Sequence, residues 1–157
     1  MRFRPCLLAL ALAAATFGVA SAPAPASAQA IATTQARLNP NTATAEQLAN
    51  VPHSTPAIAS AIAAKKPYKT IGEFNAVLAA SLSKQQLAEV YPRLFVPINL
   101  NTASSADIML IPGMTRRMVH EFEEYRPYSS LAQFDKEIGK YVSPAEVARL
   151  RSYVTLN

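Results

Sequence analysis

Few residues of this 157-residue chain carry types and spacings that could do chemistry, and the most suggestive are two consecutive arginines at the start of a helix. Arg116 and Arg117 follow Ile111-Pro112-Gly113-Met114-Thr115, a turn that leads into a helix expected over about 116–125. Cations in a first helical turn oppose the helix dipole, a mild cost that a bound anion would offset. That placement points to an anion site; the plainer alternative is a pair of solvated surface charges. Lys65, Lys66 and Lys69 form a second basic cluster, able to contact phosphates or simply to solvate a helix end. His120 has Glu123 and Glu124 at helical spacing, but no second histidine stands nearby, so a charged exposed face is the expectation and no metal is assigned. His53 lies in a turn. No nucleophile–base pairing or Gly-rich nucleotide loop is recognisable, and the only cysteine is Cys6. The expectation is a protein that is not an enzyme and uses no cofactor.

The elements that must position these residues come from a duplication. Leu38-Asn39-Pro40-Asn41-Thr42-Ala43 recurs as Ile98-Asn99-Leu100-Asn101-Thr102-Ala103, and the offset of 60 residues holds without a gap, giving copies 38–97 and 98–157. Pro52 meets Pro112, Pro67-Tyr68 meets Pro127-Tyr128, and Phe74 meets Phe134. Apolar character persists where identity does not: Leu48/Ile108, Val51/Ile111, Ile58/Met118, Ile62/Phe122, Ile71/Leu131, Leu78/Ile138 and Leu87/Val147. Thr44 with Gln47, Thr70 with Glu73 and Ser83 with Gln86 have capping-box spacing. Ser130 with Gln133 and Ser143 with Glu146 repeat it, and Ser104 with Asp107 is an imperfect version. Helices are thus expected to begin near 45, 71 and 84 and near 105, 131 and 144, with a further one over about 56–65 and 116–125. Pro67 and Pro127 end the latter pair, and Tyr68 and Tyr128 follow as core plugs. Four short helices per copy and no alternating strand pattern make the chain all-α.

Residues 1–30 read as a secretory signal: Arg2 and Arg4, an apolar run Leu7 to Ala20, then Ala26-Ser27-Ala28 or Ala28-Gln29-Ala30 as cleavage motif. The run falls short of the roughly 20 residues that span a bilayer. Residues 31–37 are expected to be a flexible lead-in, and the mature protein exported, periplasmic or secreted, and soluble. Without Arg2 and Arg4 the 15 basic residues become 13 against 10 acidic ones, a net of +3 in place of +5. Copy one carries five basic and three acidic residues, copy two seven of each. The better candidate anion turn therefore sits in the neutral copy.

The Asn-x-Asn-Thr-Ala opening, the Ile-Pro-Gly turn into a helix, the Pro-Tyr turn and the tail Tyr153-Val154-Thr155-Leu156 resemble ComEA-type helix–hairpin–helix domains, exported competence proteins whose paired hairpins bind incoming DNA. The resemblance covers both copies and implies two tandem paired helix–hairpin–helix units, small helical modules that bind double-stranded DNA through its backbone during uptake. It implies that Gly113, Met114 and Thr115 with Arg116 and Arg117 hold one phosphate through backbone amides, glycine permitting close approach, while Lys65, Lys66 and Lys69 extend the footprint. This chain departs from the family's Gly-x-Gly turn. Thr115 stands at the second glycine, and copy one reads His53-Ser54-Thr55 followed by Pro56, which has no amide. Ser81-Leu82-Ser83 and Tyr141-Val142-Ser143 contain no glycine, and Thr55, Thr115, Ser83 and Ser143 are good N-caps that would occupy amides internally. The alternative is a structural or protein-interaction module, a class for which the fold of an exported extrinsic subunit of photosystem II offers a second resemblance; its partner would be an envelope protein complex.

Overall fold

The computed structural model describes residues 37–156; the expected export signal and residues 31–36 of the expected lead-in lie outside them. Copy one forms α1 (Ala45–Ala49), α2 (Pro56–Ala64), α3 (Ile71–Ala79) and α4 (Lys84–Val90). Copy two forms α5 (Ser105–Met109), α6 (Arg116–Glu124), α7 (Leu131–Ile138) and α8 (Pro144–Arg151). Each helix begins where its cap predicts. Thr44 and Ser83 make complete capping boxes with Gln47 and Gln86. Thr55, Thr70, Ser104, Thr115, Ser130 and Ser143 each accept the amide three residues on, satisfying a donor that the helix itself cannot.

Among the described residues, extended structure is confined to short parallel pairings that join the two ends of each copy. Leu38 bridges Leu94 in copy one, and β1 (Ile98–Asn99) pairs with β2 (Val154–Thr155) in copy two, in the register Ile98 to Val154. These are the same positions 60 residues apart. A pairing of two residues has no room for alternation, so the all-α expectation missed it.

Within each copy an asparagine carboxamide spans 27 residues. The Asn41 side chain donates to the Tyr68 carbonyl at 2.9 Å and accepts the Tyr68 amide at 2.7 Å. Asn101 does the same to Tyr128 at 3.0 and 2.7 Å. Both tyrosines follow a proline in a cis peptide bond, at Lys66-Pro67 and Arg126-Pro127. Their rings are buried and meet Phe74 and Phe134 edge-on at 5.2 and 5.7 Å, the packing expected of core plugs. Of the fourteen paired apolar positions named above, all but Met118 and Leu131 are buried, and those two are partly so.

The copies share one hydrophobic core and belong to one compact unit. Phe95 of copy one stacks edge-on against Tyr153 of copy two at 4.9 Å and against Tyr91 at 5.7 Å. The Gly72 amide, in the first turn of α3, donates to Asp107 Oδ1 of α5 at 2.9 Å. A Cβ on Gly72 would stand 2.9 Å from that oxygen, so glycine permits the approach. The other carboxylate oxygen, Oδ2, accepts the Ser104 hydroxyl at 2.7 Å. The imperfect box at Ser104 is thus a cap whose third residue is turned toward the other copy.

Removing the Asn101 carboxamide leaves the half-buried Tyr128 amide and carbonyl without partners. Asn101→Ala is expected to cost about 2–3 kcal/mol of stability, read from the urea unfolding midpoint, and Asn41→Ala a similar amount.

Candidate functional site

The turns that open α2 and α6 share one backbone geometry. In copy two the Met114 amide donates to the Ile111 carbonyl at 3.0 Å, with Pro112 second and Gly113 third at φ +77°. In copy one Ser54 donates to Val51 at 3.1 Å, with Pro52 second and His53 third at φ +59°. Proline followed by a positive φ is the pattern of a type II turn, which favours glycine at the third position. His53 therefore holds a conformation that costs a side-chain-bearing residue roughly 1–2 kcal/mol.

Side chains beneath the turns set the two copies apart. His53 Nε2 lies 2.8 Å from Glu89 Oε2 on α4, tying the turn to the helix below it. The position corresponding to Glu89 in copy two is Arg149, on α8. Arg149 Nη2 stands 3.5 Å from where a Cβ on Gly113 would be, so an arginine underlies this turn where copy one has a carboxylate. Its Nε and Nη2 donate to Glu146 at 2.7 and 2.6 Å. That fork raises the Arg149 pKa above its ordinary value and holds the Glu146 carboxyl below the usual carboxylate range. The pair contributes stability that is present above the ordinary glutamate range and is lost as pH falls through the lowered Glu146 pKa.

Arg116 and Arg117 occupy the first two positions of α6 and are exposed. Among the described residues no acceptor takes their backbone amides, which have no preceding turn to bond to, and the Thr115 cap reaches only the third amide, that of Met118, at 3.3 Å. The Arg117 side chain is 78% exposed, and its Nε lies 4.0 Å from Glu121 Oε1, a separation that neutralises it only weakly. Copy one offers less at the equivalent place: Pro56 contributes no amide and Ala57 no charge.

The lysine cluster is arranged otherwise. Lys65, Lys66 and Lys69 lie between α2 and α3, at the opposite end of α2 from the His53 turn. Lys66 is half-buried, and its Nζ donates to the Ala43 carbonyl at 2.9 Å. Arg126, its counterpart, donates to Ala103 at 2.8 Å and Leu100 at 2.5 Å. Lys66 is thus a structural donor at this place in the repeat, whereas Lys65 and Lys69 are exposed. No hydrogen bond or shared element among the described residues joins the lysines to Arg116 or Arg117.

Two cations escaped the sequence reading. Arg149 was hidden because only the fold brings α8 beneath the Gly113 turn. Arg37, assigned to a flexible lead-in, instead donates to the Ser152 carbonyl and hydroxyl at 2.9 and 2.7 Å and stacks over Tyr153 at 3.2 Å. Burial lowers its pKa from the usual arginine value. Arg149 lies over the same ring at 5.7 Å, so both cations belong to one neighbourhood. The exposed His120 lies 3.7 Å from Glu124, while Glu123 is held by the Ser105 hydroxyl at 2.6 Å and faces Arg126 at 3.9 Å. The three do not converge on one point.

No protein-family model, curated protein or solved structure matches this chain.

Because a Cβ at Gly113 would meet only an ordinary contact, the backbone conformation and not crowding sets the cost of a side chain there. Gly113→Ala is expected to lose about 1–2 kcal/mol and Gly113→Asn distinctly less, since asparagine enters the left-handed region more readily; chemical denaturation measures both.

Proposed function

We propose that this protein binds the sugar–phosphate backbone of double-stranded DNA without reading its sequence, on a scaffold of two tandem helix–hairpin–helix units resembling those of ComEA-type uptake proteins. The observation that carries the proposal is the α6 turn. There a glycine with positive φ, two helix-terminal amides without acceptors, two exposed arginines and an underlying Arg149 all lie about one short stretch of backbone. A phosphate accepts the amides of Arg116 and Arg117, gains from the positive end of the helix dipole, and draws the arginine side chains to its remaining oxygens. Nothing in that set reads a base edge, so binding is independent of sequence. Lys65 and Lys69 extend the footprint; Lys66 contributes less because its ammonium is engaged with Ala43. With residues 1–30 acting as an export signal, the DNA is met outside the cytoplasm, as in DNA capture.

A second reading, a protein-interaction module docking on an envelope complex, is favoured by the internal satisfaction of the other turns. His53 is paired with Glu89, and Ser83 and Ser143 cap their helices as Thr115 caps α6, with no glycine in either turn.

The two readings part in one measurement. The purified protein is expected to retard duplex DNA of unrelated sequences equally. With about three phosphates engaged, log K should fall against log salt with a slope near −3. Arg116→Glu with Arg117→Glu should remove most binding and Arg149→Ala a smaller part. Absence of duplex binding even at low salt would sink this reading in favour of the second.

A further inference from the structure

The packing of the two copies leaves a cleft of about 410 Å³ between them. One wall belongs to copy one, with Asn75 and Ala79 of α3 and Lys84, Ala88 and Tyr91 in and after α4; the other is the stretch Met109 to Met114 of copy two. Neither 60-residue unit could form it alone. Its size lies within the roughly 300–1,000 Å³ of small-ligand sites. Gly113 lines the cleft and is also the glycine of the candidate phosphate turn, so the two places are continuous. Among the described residues no acidic one lines it, and Lys84, exposed, stands on its wall.

The lining chemistry suits a flat, largely apolar ring with some polar edge. Met109 is 39% exposed, one of the few large apolar side chains so placed, and Met114 is partly exposed. Thioethers pack favourably on aromatic faces and adapt to their shape. The Asn75 carboxamide oxygen accepts the Tyr91 hydroxyl, which leaves its NH₂ group as a donor on that wall. An aliphatic anchor from a protein would fill the apolar part but leave the Lys84 ammonium on the wall, and the Gly113 turn that leads to the amides of Arg116 and Arg117, unmatched. A nucleotide carries an apolar ring and an anion a few bonds apart.

We propose that the cleft accepts an unpaired base of DNA whose neighbouring phosphate rests on the Gly113 turn. The inference rests on the DNA-binding reading above and adds to it a preference for duplexes that carry an unstacked base, at an overhang or a bulge. In an intact duplex the base must first be unstacked, which costs a few kcal/mol, so blunt duplex is held by the backbone contacts alone.

The test compares three labelled DNAs by fluorescence anisotropy at one low salt concentration: a blunt duplex, the same duplex with one extrahelical base, and the same duplex with a three-nucleotide overhang. Each is titrated with the purified protein. Insertion of one base is expected to tighten binding about tenfold over the blunt duplex. Ala88→Phe fills the cleft from an exposed helical position and should abolish that preference while changing blunt-duplex affinity less than twofold. Met109→Ser removes apolar contact without adding bulk and should weaken the preference, and a thermal melt confirms that both variants are folded. Equal affinity for all three DNAs overturns the base site and leaves backbone binding standing. A preference that survives Ala88→Phe overturns the cleft assignment. Failure to bind any of the three DNAs removes the backbone reading and this inference with it.

Discussion

One carboxamide per copy, placed against the backbone of the tyrosine that follows the Pro turn, is the contact on which the rest of each unit depends. The turn after α2, and again after α6, has left its helix and reached a proline, which offers no amide. Tyr68 and Tyr128 there have a donor and an acceptor without a helical partner. The asparagine side chain carries one of each and satisfies both groups at once. It also holds the start of the copy against its middle, which sets where the tyrosine ring enters the core. A second polar tie repeats beside it: Lys66 or Arg126 donates to the carbonyl of Ala43 or Ala103. The parallel pairing of each copy's ends completes the closure.

On that frame duplication preserved backbone and released side chains to diverge. The turns before α2 and α6 keep their proline, their hydrogen bond and their positive φ, yet one holds histidine over glutamate and the other glycine over arginine. The first arrangement satisfies itself and places a carboxylate where an anion would come. The second opens its helix with two amides where the proline of the first leaves one, and sets the exposed Arg116 and Arg117 there, with Arg149 below held by Glu146. The cost of placing arginines at a helix start is offset only weakly inside the protein, by Glu121 at 4.0 Å from Arg117, which is the physical argument for an anion from outside. The net charge of a copy is a poor guide here, because the neutral copy holds the more positive turn.

Packing of the two copies adds what neither has alone. Asp107 serves as a cap residue within copy two and as an acceptor for α3 of copy one, so a single carboxylate fixes both local and inter-copy structure. The aromatic contacts from Tyr91 through Phe95 to Tyr153 run across the same boundary. With the copies so fixed, the gap beside the Gly113 turn has walls of defined composition.

Much of the helical fold was determined by sequence alone, since caps and prolines act within four residues and leave their marks at fixed spacing. Thr44, Thr55, Ser83, Thr115 and Ser143 begin helices because a hydroxyl there meets an amide three residues on, whatever the remainder of the chain does. The 60-residue repeat likewise made Tyr68 and Tyr128 legible as core. The turn at Gly113 and its arginines could be singled out as a candidate site for the same local reason. Contacts between residues far apart in the chain were decided only by tertiary structure. Arg149 lies beneath Gly113 because α8 packs there, Arg37 is held by Tyr153, and Lys66 is turned inward onto Ala43. The ends pair over one residue in copy one and two in copy two, too few for any periodicity to announce. Local hydrogen bonds recur at constant offsets and can be read along the chain; the neighbours of a charge are set by packing, which no offset encodes.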